Sequence, residues 1–137
     1  MIFLDTNVVS ETLMRAPSEA VRAWLKRFDS ELALSTVAIA EIYYGVCRIR
    51  PEQRAKRLEE GLMAWRERLS DRIFGFTEEA ALVYGEIMGA AEHKGRVMSV
   101  PDGMIAAIAR VNGGRLATRN GADFATTGLE IISPWEF

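Results

Sequence analysis

Four acidic residues stand where a carboxylate could do chemistry. Asp5 follows the apolar run Ile2-Phe3-Leu4 and opens Asp5-Thr6-Asn7. Glu41 interrupts the apolar stretch Val37-Ala38-Ile39-Ala40-Glu41-Ile42. Asp102 follows Pro101 at the head of a segment that is apolar on nearly every side, and Asp123 closes Thr118-Arg119-Asn120-Gly121-Ala122-Asp123. Each has an ordinary reading: Asp5 as a turn or cap residue, Asp102 as an N-cap, Asp123 as a turn former, Glu41 as a solvent-facing side chain. Taken together they suggest one site. Four carboxylates drawn into a partly desolvated place repel one another strongly, and a hard divalent cation removes the conflict. Oxygen-only ligands without His or Cys favour Mg2+ or Mn2+ over zinc. Such an ion keeps several waters, one of which can be deprotonated and used as a nucleophile. That chemistry suits phosphodiester hydrolysis, where charge builds on the phosphoryl oxygens.

The composition limits the alternatives. The chain has 137 residues, with 17 Lys+Arg against 19 Asp+Glu and a formal net charge of -2. Binding of nucleic acid through bulk positive charge is excluded. Setting the four acids aside leaves two more bases than acids, so a local, metal-assisted contact with phosphate stays open. Cys47 is the one cysteine and His93 the one histidine. No intramolecular disulfide, cysteine-based zinc site or His–His acid–base pair can be built from them. A reduced, cytoplasmic setting is expected. The first residues lack a basic segment and their apolar run stops at Asp5, which does not fit a signal peptide. No uncharged apolar stretch reaches the about 20 residues of a membrane span.

The elements that must position the acids follow from the spacing of apolar residues. Short apolar runs at Ile2–Leu4, Leu32–Leu34, Ile73–Phe76, Leu116–Thr118 and Ile131–Ile132 predict strands. Helices are predicted over Val8–Met14, Glu19–Phe28 (capped by Ser18), from a Thr36 cap through Val46, Pro51–Leu69, Thr77–Ala91, and Met104–Val111. Strands alternating with helices predict an α/β sandwich with a parallel sheet of four to five strands, right-handed crossovers and one domain over residues 1–137. In such sheets ligands sit beyond the carboxyl ends of the strands, the kind of position where Asp5, Asp102 and Asp123 fall.

The ordered set Asp5-Thr6-Asn7, Glu41, Pro101-Asp102 with Ile105-Ala106-Ala107, Thr118-Arg119-Asn120 and Asp123-Phe124 resembles that of PIN-domain ribonucleases. The opening Asp5 to Glu11 and the closing Gly128-Leu129-Glu130 and Pro134-Trp135 are similar to VapC toxins of type II toxin–antitoxin operons, especially the FitB-like branch. The resemblance covers essentially the whole chain. It implies a PIN-like α/β/α fold and a Mg2+- or Mn2+-dependent endoribonuclease. It makes Asp5, Glu41, Asp102 and Asp123 the metal-binding acids, with Asp5 and Asp102 closest and the other two acting through water or holding a second ion. Thr6, Asn7, Thr118 and Asn120 would orient the carboxylates, and Arg119 is a candidate phosphate contact, with a capping or salt-bridge role as its alternative. The resemblance further implies a homodimer and a cognate antitoxin that covers the active groove. One departure is Gly103, where such toxins more often carry Ala.

Other residues receive plainer expectations. His93 is expected solvated at a helix end, Cys47 in the core or an interface, Glu11 on the surface, and Tyr43, Tyr44 and Trp65 in core or subunit packing. The mixed-sign stretch Arg48–Arg68 is expected to be a solvated helix face. Two further readings stay open: a PIN-like module that binds RNA or protein without cutting, and a phosphoacceptor domain using Asp5, for which Asp5-Thr6-Asn7 lacks the second acid.

Overall fold

Five very short strands carry the sheet: β1 (Ile2–Leu4), β2 (Leu32–Ser35), β3 (Ile73–Phe74), β4 (Arg115–Ala117) and β5 (Ile131–Ile132). The structure, a computed structural model, describes all residues 1–137. All strand pairs are parallel and the order is β3-β2-β1-β4-β5. The sequence runs outward from β1 to β3 on one side, then returns to β1 and runs outward through β4 to β5. The order therefore reverses between β1 and β4, the switch point beyond whose carboxyl ends such sheets bind their ligands.

Alternation along the strands splits the core into two layers. Ile2, Leu4, Leu32 and Leu34 face α1 (Thr6–Thr12), α2 (Glu19–Arg27), α3 (Thr36–Ile49) and α4 (Gln53–Arg68). Phe3, Ala33 and Leu116 face α5 (Glu78–His93) and α6 (Val100–Val111). The expected α/β sandwich with helices on both faces is the observed architecture. No helix is long and apolar enough to cross a membrane.

The elements differ from expectation mainly at their ends, and caps explain why. The first helix begins at Thr6 because Asp5 caps it. In α3 the capping side chain is Ser35, not Thr36: its Oγ accepts from the Ala38 N–H at 3.1 Å. Helix α4 starts at Gln53 rather than Pro51, and β3 stops at Phe74 rather than Phe76. The buried helix α6 starts at Val100, with Ser99 as its cap. Strand β4 starts one residue earlier than expected and ends at Ala117, while the Thr118 N–H still donates to the Ile132 carbonyl of β5 at 2.9 Å.

Glu11 overturns its expectation outright, and Cys47 loses the core half of its own. Glu11 is buried, 7% exposed, and its Oε2 accepts from the Ser18 N–H at 2.9 Å, tying the end of α1 to the start of α2. Cys47 is exposed, outside the core. Trp65 is in the core with its indole N–H donating to Thr12 Oγ1 at 2.9 Å, whereas Tyr43 and Tyr44 stand exposed. His93 is exposed at the end of α5, as expected.

Gly103 has a packing cause. A Cβ there would lie 2.6 Å from Met88 Sδ and 2.9 Å from Tyr84 Cε1, both on α5. Glycine is what lets α6 approach α5 this closely, so the position that follows Asp102 is tightly packed. Gly103→Ala is expected to lower stability by about 1 kcal/mol, because overpacking outweighs the gain in helix propensity. A thermal melt checks it; an unchanged or higher Tm would contradict it.

Candidate active site

Asp5 is the first residue past β1, and its N–H donates to the Ala117 carbonyl at 2.9 Å, holding the ends of β1 and β4 together. The side chain is 5% exposed. Its Oδ1 accepts from the Thr6 N–H at 2.8 Å, which caps α1. Its Oδ2 accepts from the Thr118 hydroxyl at 2.7 Å and from Asn7 Nδ2 at 3.3 Å. Capping and a further role thus coexist in one carboxylate, which has one oxygen for each.

Thr118, the first residue past β4, is fully buried. Its Oγ1 accepts from the Asn120 N–H at 3.1 Å and from Asn7 Nδ2 at 3.4 Å. With its lone pairs engaged, the hydroxyl has its single proton for Asp5. Asn7 Oδ1 in turn accepts from the Arg119 N–H at 3.3 Å, which turns the amide so that Nδ2 faces Asp5. Asn120 acts through its backbone alone, a correction to its expected part as an orienting side chain.

Glu41 lies on α3 and faces solvent rather than the apolar side of the helix. Its Oε1 accepts from the Thr6 hydroxyl at 2.6 Å, so Thr6 links Glu41 to Asp5 through one residue. Asp102 is half-buried at the third position of α6 and is not the cap: Ser99 Oγ takes that role, accepting from the Asp102 N–H at 3.3 Å. The Asp102 carboxylate is therefore free of capping duty. Asp123 sits exposed in the 3₁₀ turn Gly121–Phe124 just after β4. Ser99 was not singled out as a positioning residue, although Ser99-Val100-Pro101-Asp102 has the spacing of a capping box.

The four acids share one field. Burial pushes the Asp5 carboxyl above its ordinary value; the Thr118 and Thr6 hydrogen bonds pull it down, and the charges of Glu41 and Asp123 push it up again. Asp102 is also raised, by burial first and then by the charge of Asp5, with Ser99 opposing and Asp123 adding. None of the six ion pairs in the molecule involves these acids. No three of them converge closely enough to ligate one ion together. In donor chemistry the four carboxylates, with no ion-pair partner and no His or Cys among them, fit a hard cation such as Mg2+.

Arg119 is exposed, with its guanidinium over the Trp135 ring at 5.0 Å from the centroid. It makes neither the salt bridge nor the side-chain cap of its alternative reading. Stacking occupies its face and leaves the N–H edge for an acceptor.

Comparison with known proteins agrees with this arrangement. Residues 2–128 match the model of the PIN domain family. The chain is 36% identical to VapC ribonuclease Y4jK of Sinorhizobium fredii, over 99% of each chain. It is 34% identical to toxin FitB of Neisseria gonorrhoeae, over 98% of this chain and 99% of that one. The crystal structure of FitAcB from Neisseria gonorrhoeae superposes with a TM-score of 0.91 at 33% identity, covering 100% of both chains. With acids gathered at the β1/β4 switch point, a five-stranded parallel sheet and full-length relatives of these names, the chain belongs to the PIN-domain family, in the branch that includes VapC ribonucleases and toxin FitB.

Proposed function

We propose that this protein is an endoribonuclease toxin of a type II toxin–antitoxin module, dependent on Mg2+ or Mn2+ and hydrolysing RNA phosphodiester bonds. The observation that carries the reading is the uncompensated acidic field of Asp5, Asp102, Glu41 and Asp123 at the switch point. The names of its full-length relatives support the ribonuclease and toxin roles.

Asp5 and Asp102 would hold the ion directly, with Glu41 and Asp123 reaching it through water. When bound, such an ion supplies a water acidic enough to deprotonate near neutral pH and neutralises charge on the phosphoryl oxygens. The chain's own residues do the rest. Thr118, Asn7 and the Thr6 N–H keep Asp5 oriented, and the Thr118 and Thr6 bonds oppose the rise that burial imposes on its carboxyl. The Thr6 hydroxyl fixes Glu41 beside it. Ser99 caps α6 by accepting from the Asp102 N–H, and its side chain also bonds the Asp102 carboxyl, which holds that residue at the helix start. The in-plane N–H groups of Arg119 would grip a phosphate next to the scissile bond while Trp135 holds the guanidinium plane.

A cognate antitoxin and a homodimer complete the reading. An acidic site without its own cation accepts an arginine or lysine from a partner in place of the metal, which silences the enzyme. The exposed apolar side chains Tyr44 and Leu82, at 68% and 70%, are surface that a second copy would cover.

Thr118→Val keeps the shape of the side chain but removes the proton given to Asp5. Cleavage is expected to fall about 10- to 100-fold, as for loss of an orienting partner. Because that hydrogen bond lowers the Asp5 carboxyl, the acid limb of the pH–rate profile should move to higher pH. A profile that keeps its position would contradict this role for Thr118. The proposed function itself is tested by inducing the chain in cells and sequencing RNA 5′ ends, alongside thermal melts with Mn2+. New ends at defined sites and a stabilising shift with metal are expected. No new ends and no shift would favour a module that binds without cutting.

A further inference from the structure

The second charged feature of the molecule is an arginine cluster outside the acidic site. A cavity of about 730 Å3 is lined by Arg15, Gln53, Arg54 and Arg57, with no apolar and no acidic residue among them. Arg15 comes from the loop after α1; Arg54 and Arg57 come from the first two turns of α4. The chain has 14 arginines. Ten are engaged with a carboxylate, a carbonyl, a sulfur, a hydroxyl or an aromatic face. Of the four that are not, three line this cavity, all exposed.

The local backbone adds to the charge. The N-cap of α4, Glu52, makes no side-chain capping bond, and the first turn holds no acid. Cations at a helix N-terminus oppose the helix dipole. Arg15, Arg54 and Arg57 make no ion pair in the molecule, with Glu52 or any other acid, so their donors stay open to an anion. Planar guanidinium forks match phosphate oxygens bidentately. The lining holds no aromatic or aliphatic residue, so what it offers is charge and N–H donors alone. One helix connects the two sites: α1 runs about 10 Å from Thr6, next to Asp5, to Thr12, and Arg15 follows three residues later.

We infer that Arg15, Arg54 and Arg57 form a phosphodiester-binding site for a flanking part of the RNA whose backbone is cut at the acids. The inference rests on the ribonuclease reading. It assigns to these residues affinity and salt dependence, and no part in the chemical step.

The test measures binding of a fluorescein-labelled single-stranded RNA oligonucleotide in EDTA over a range of NaCl concentrations. Wild type is compared with the triple variant Arg15→Gln, Arg54→Gln and Arg57→Gln. Glutamine keeps the helix propensity of the α4 positions. Three lost phosphate contacts, each worth about 0.7 in the slope of log affinity against log salt, predict a slope smaller by about 2 and affinity about 100-fold weaker near about 0.1 M salt. The Arg→Lys triple variant keeps the charge and is expected to retain most of the slope. If both variants bind RNA with the parental affinity and slope, the site is wrong. If a polyglutamate peptide binds with the same arginine dependence and RNA does not, the ligand class is wrong. Cleavage by the parent in Mn2+ separates the two readings. A parent that binds through the arginines yet cuts nothing overturns the ribonuclease reading and leaves the arginine site standing. A parent that cuts while the Gln variant binds and cuts equally well overturns only the arginine site.

Discussion

Asp5→Asn is expected to leave the fold intact and to abolish both metal-dependent RNA cleavage and growth arrest. Asparagine has the shape of aspartate, and its carbonyl oxygen can still accept from the Thr6 N–H, so the cap of α1 survives. The second oxygen becomes an amide that faces the Thr118 hydroxyl and Asn7 Nδ2, two groups now placed as donors. Thr118 must turn its proton elsewhere, a local cost borne by a fully buried residue. What is lost altogether is the anionic oxygen at the switch point. The drop in rate should exceed the about 100-fold expected for losing a residue that only orients another. Circular dichroism checks the fold, and cleavage assays with growth on induction check the activity. A variant that cuts RNA as fast as the parent would remove Asp5 from the site.

Asp102→Asn is expected to abolish activity and yet raise the thermal stability of the metal-free protein at neutral pH. The Asp102 carboxyl is raised in the folded protein, by burial and by the charge of Asp5, above its ordinary value of 3.8. The folded state therefore holds that proton more tightly than the unfolded chain does. The stabilisation is complete below the unfolded value and is lost as pH rises through the raised folded value. Asp5 is raised as well and acts in the same direction. In EDTA the parent should lose melting temperature as pH climbs from acidic toward neutral, more steeply than the variant. Mn2+ should stabilise the parent, by about 2.7 kcal/mol at 100 times the dissociation constant, and should do far less for the variant. Scanning calorimetry at several pH values, with and without metal, reads all of this. A variant that melts below the parent at neutral pH in EDTA would show that the Asp102 charge is compensated in a way the acidic field does not predict.

Much of this arrangement is legible in the sequence, and the gaps have physical causes. The strands were readable from three- and four-residue apolar runs because a parallel sheet covered on both faces buries both sides of each strand. Asp5 and Asp123 were readable because a residue just past a strand in such a sheet lies where ligands collect. Glu41 was readable by position, and it faces solvent while its carboxylate still accepts from Thr6. Neighbours on a helix share a stretch of sequence without sharing a face, so apolar flanks do not bury an acid. Glu11 was misread because its partner is a backbone N–H seven residues on, and no periodicity reports that contact. Caps decided the remaining differences. Ser35 and Ser99 hold helix starts that apolar spacing alone placed later or at a different residue. Gly103, a mere departure in sequence, became a packing requirement once α5 was in place against it.

The central claim is that the acids at the β1/β4 switch point hold a divalent cation and cut RNA with it. Cleavage of RNA by the purified protein in Mg2+ or Mn2+, after EDTA, and after metal is restored tests it most directly. The account predicts cutting at defined sites with metal, none in EDTA and recovery on readdition. Cutting that persists in EDTA, or its absence from every RNA tried with Mn2+ present, would contradict it.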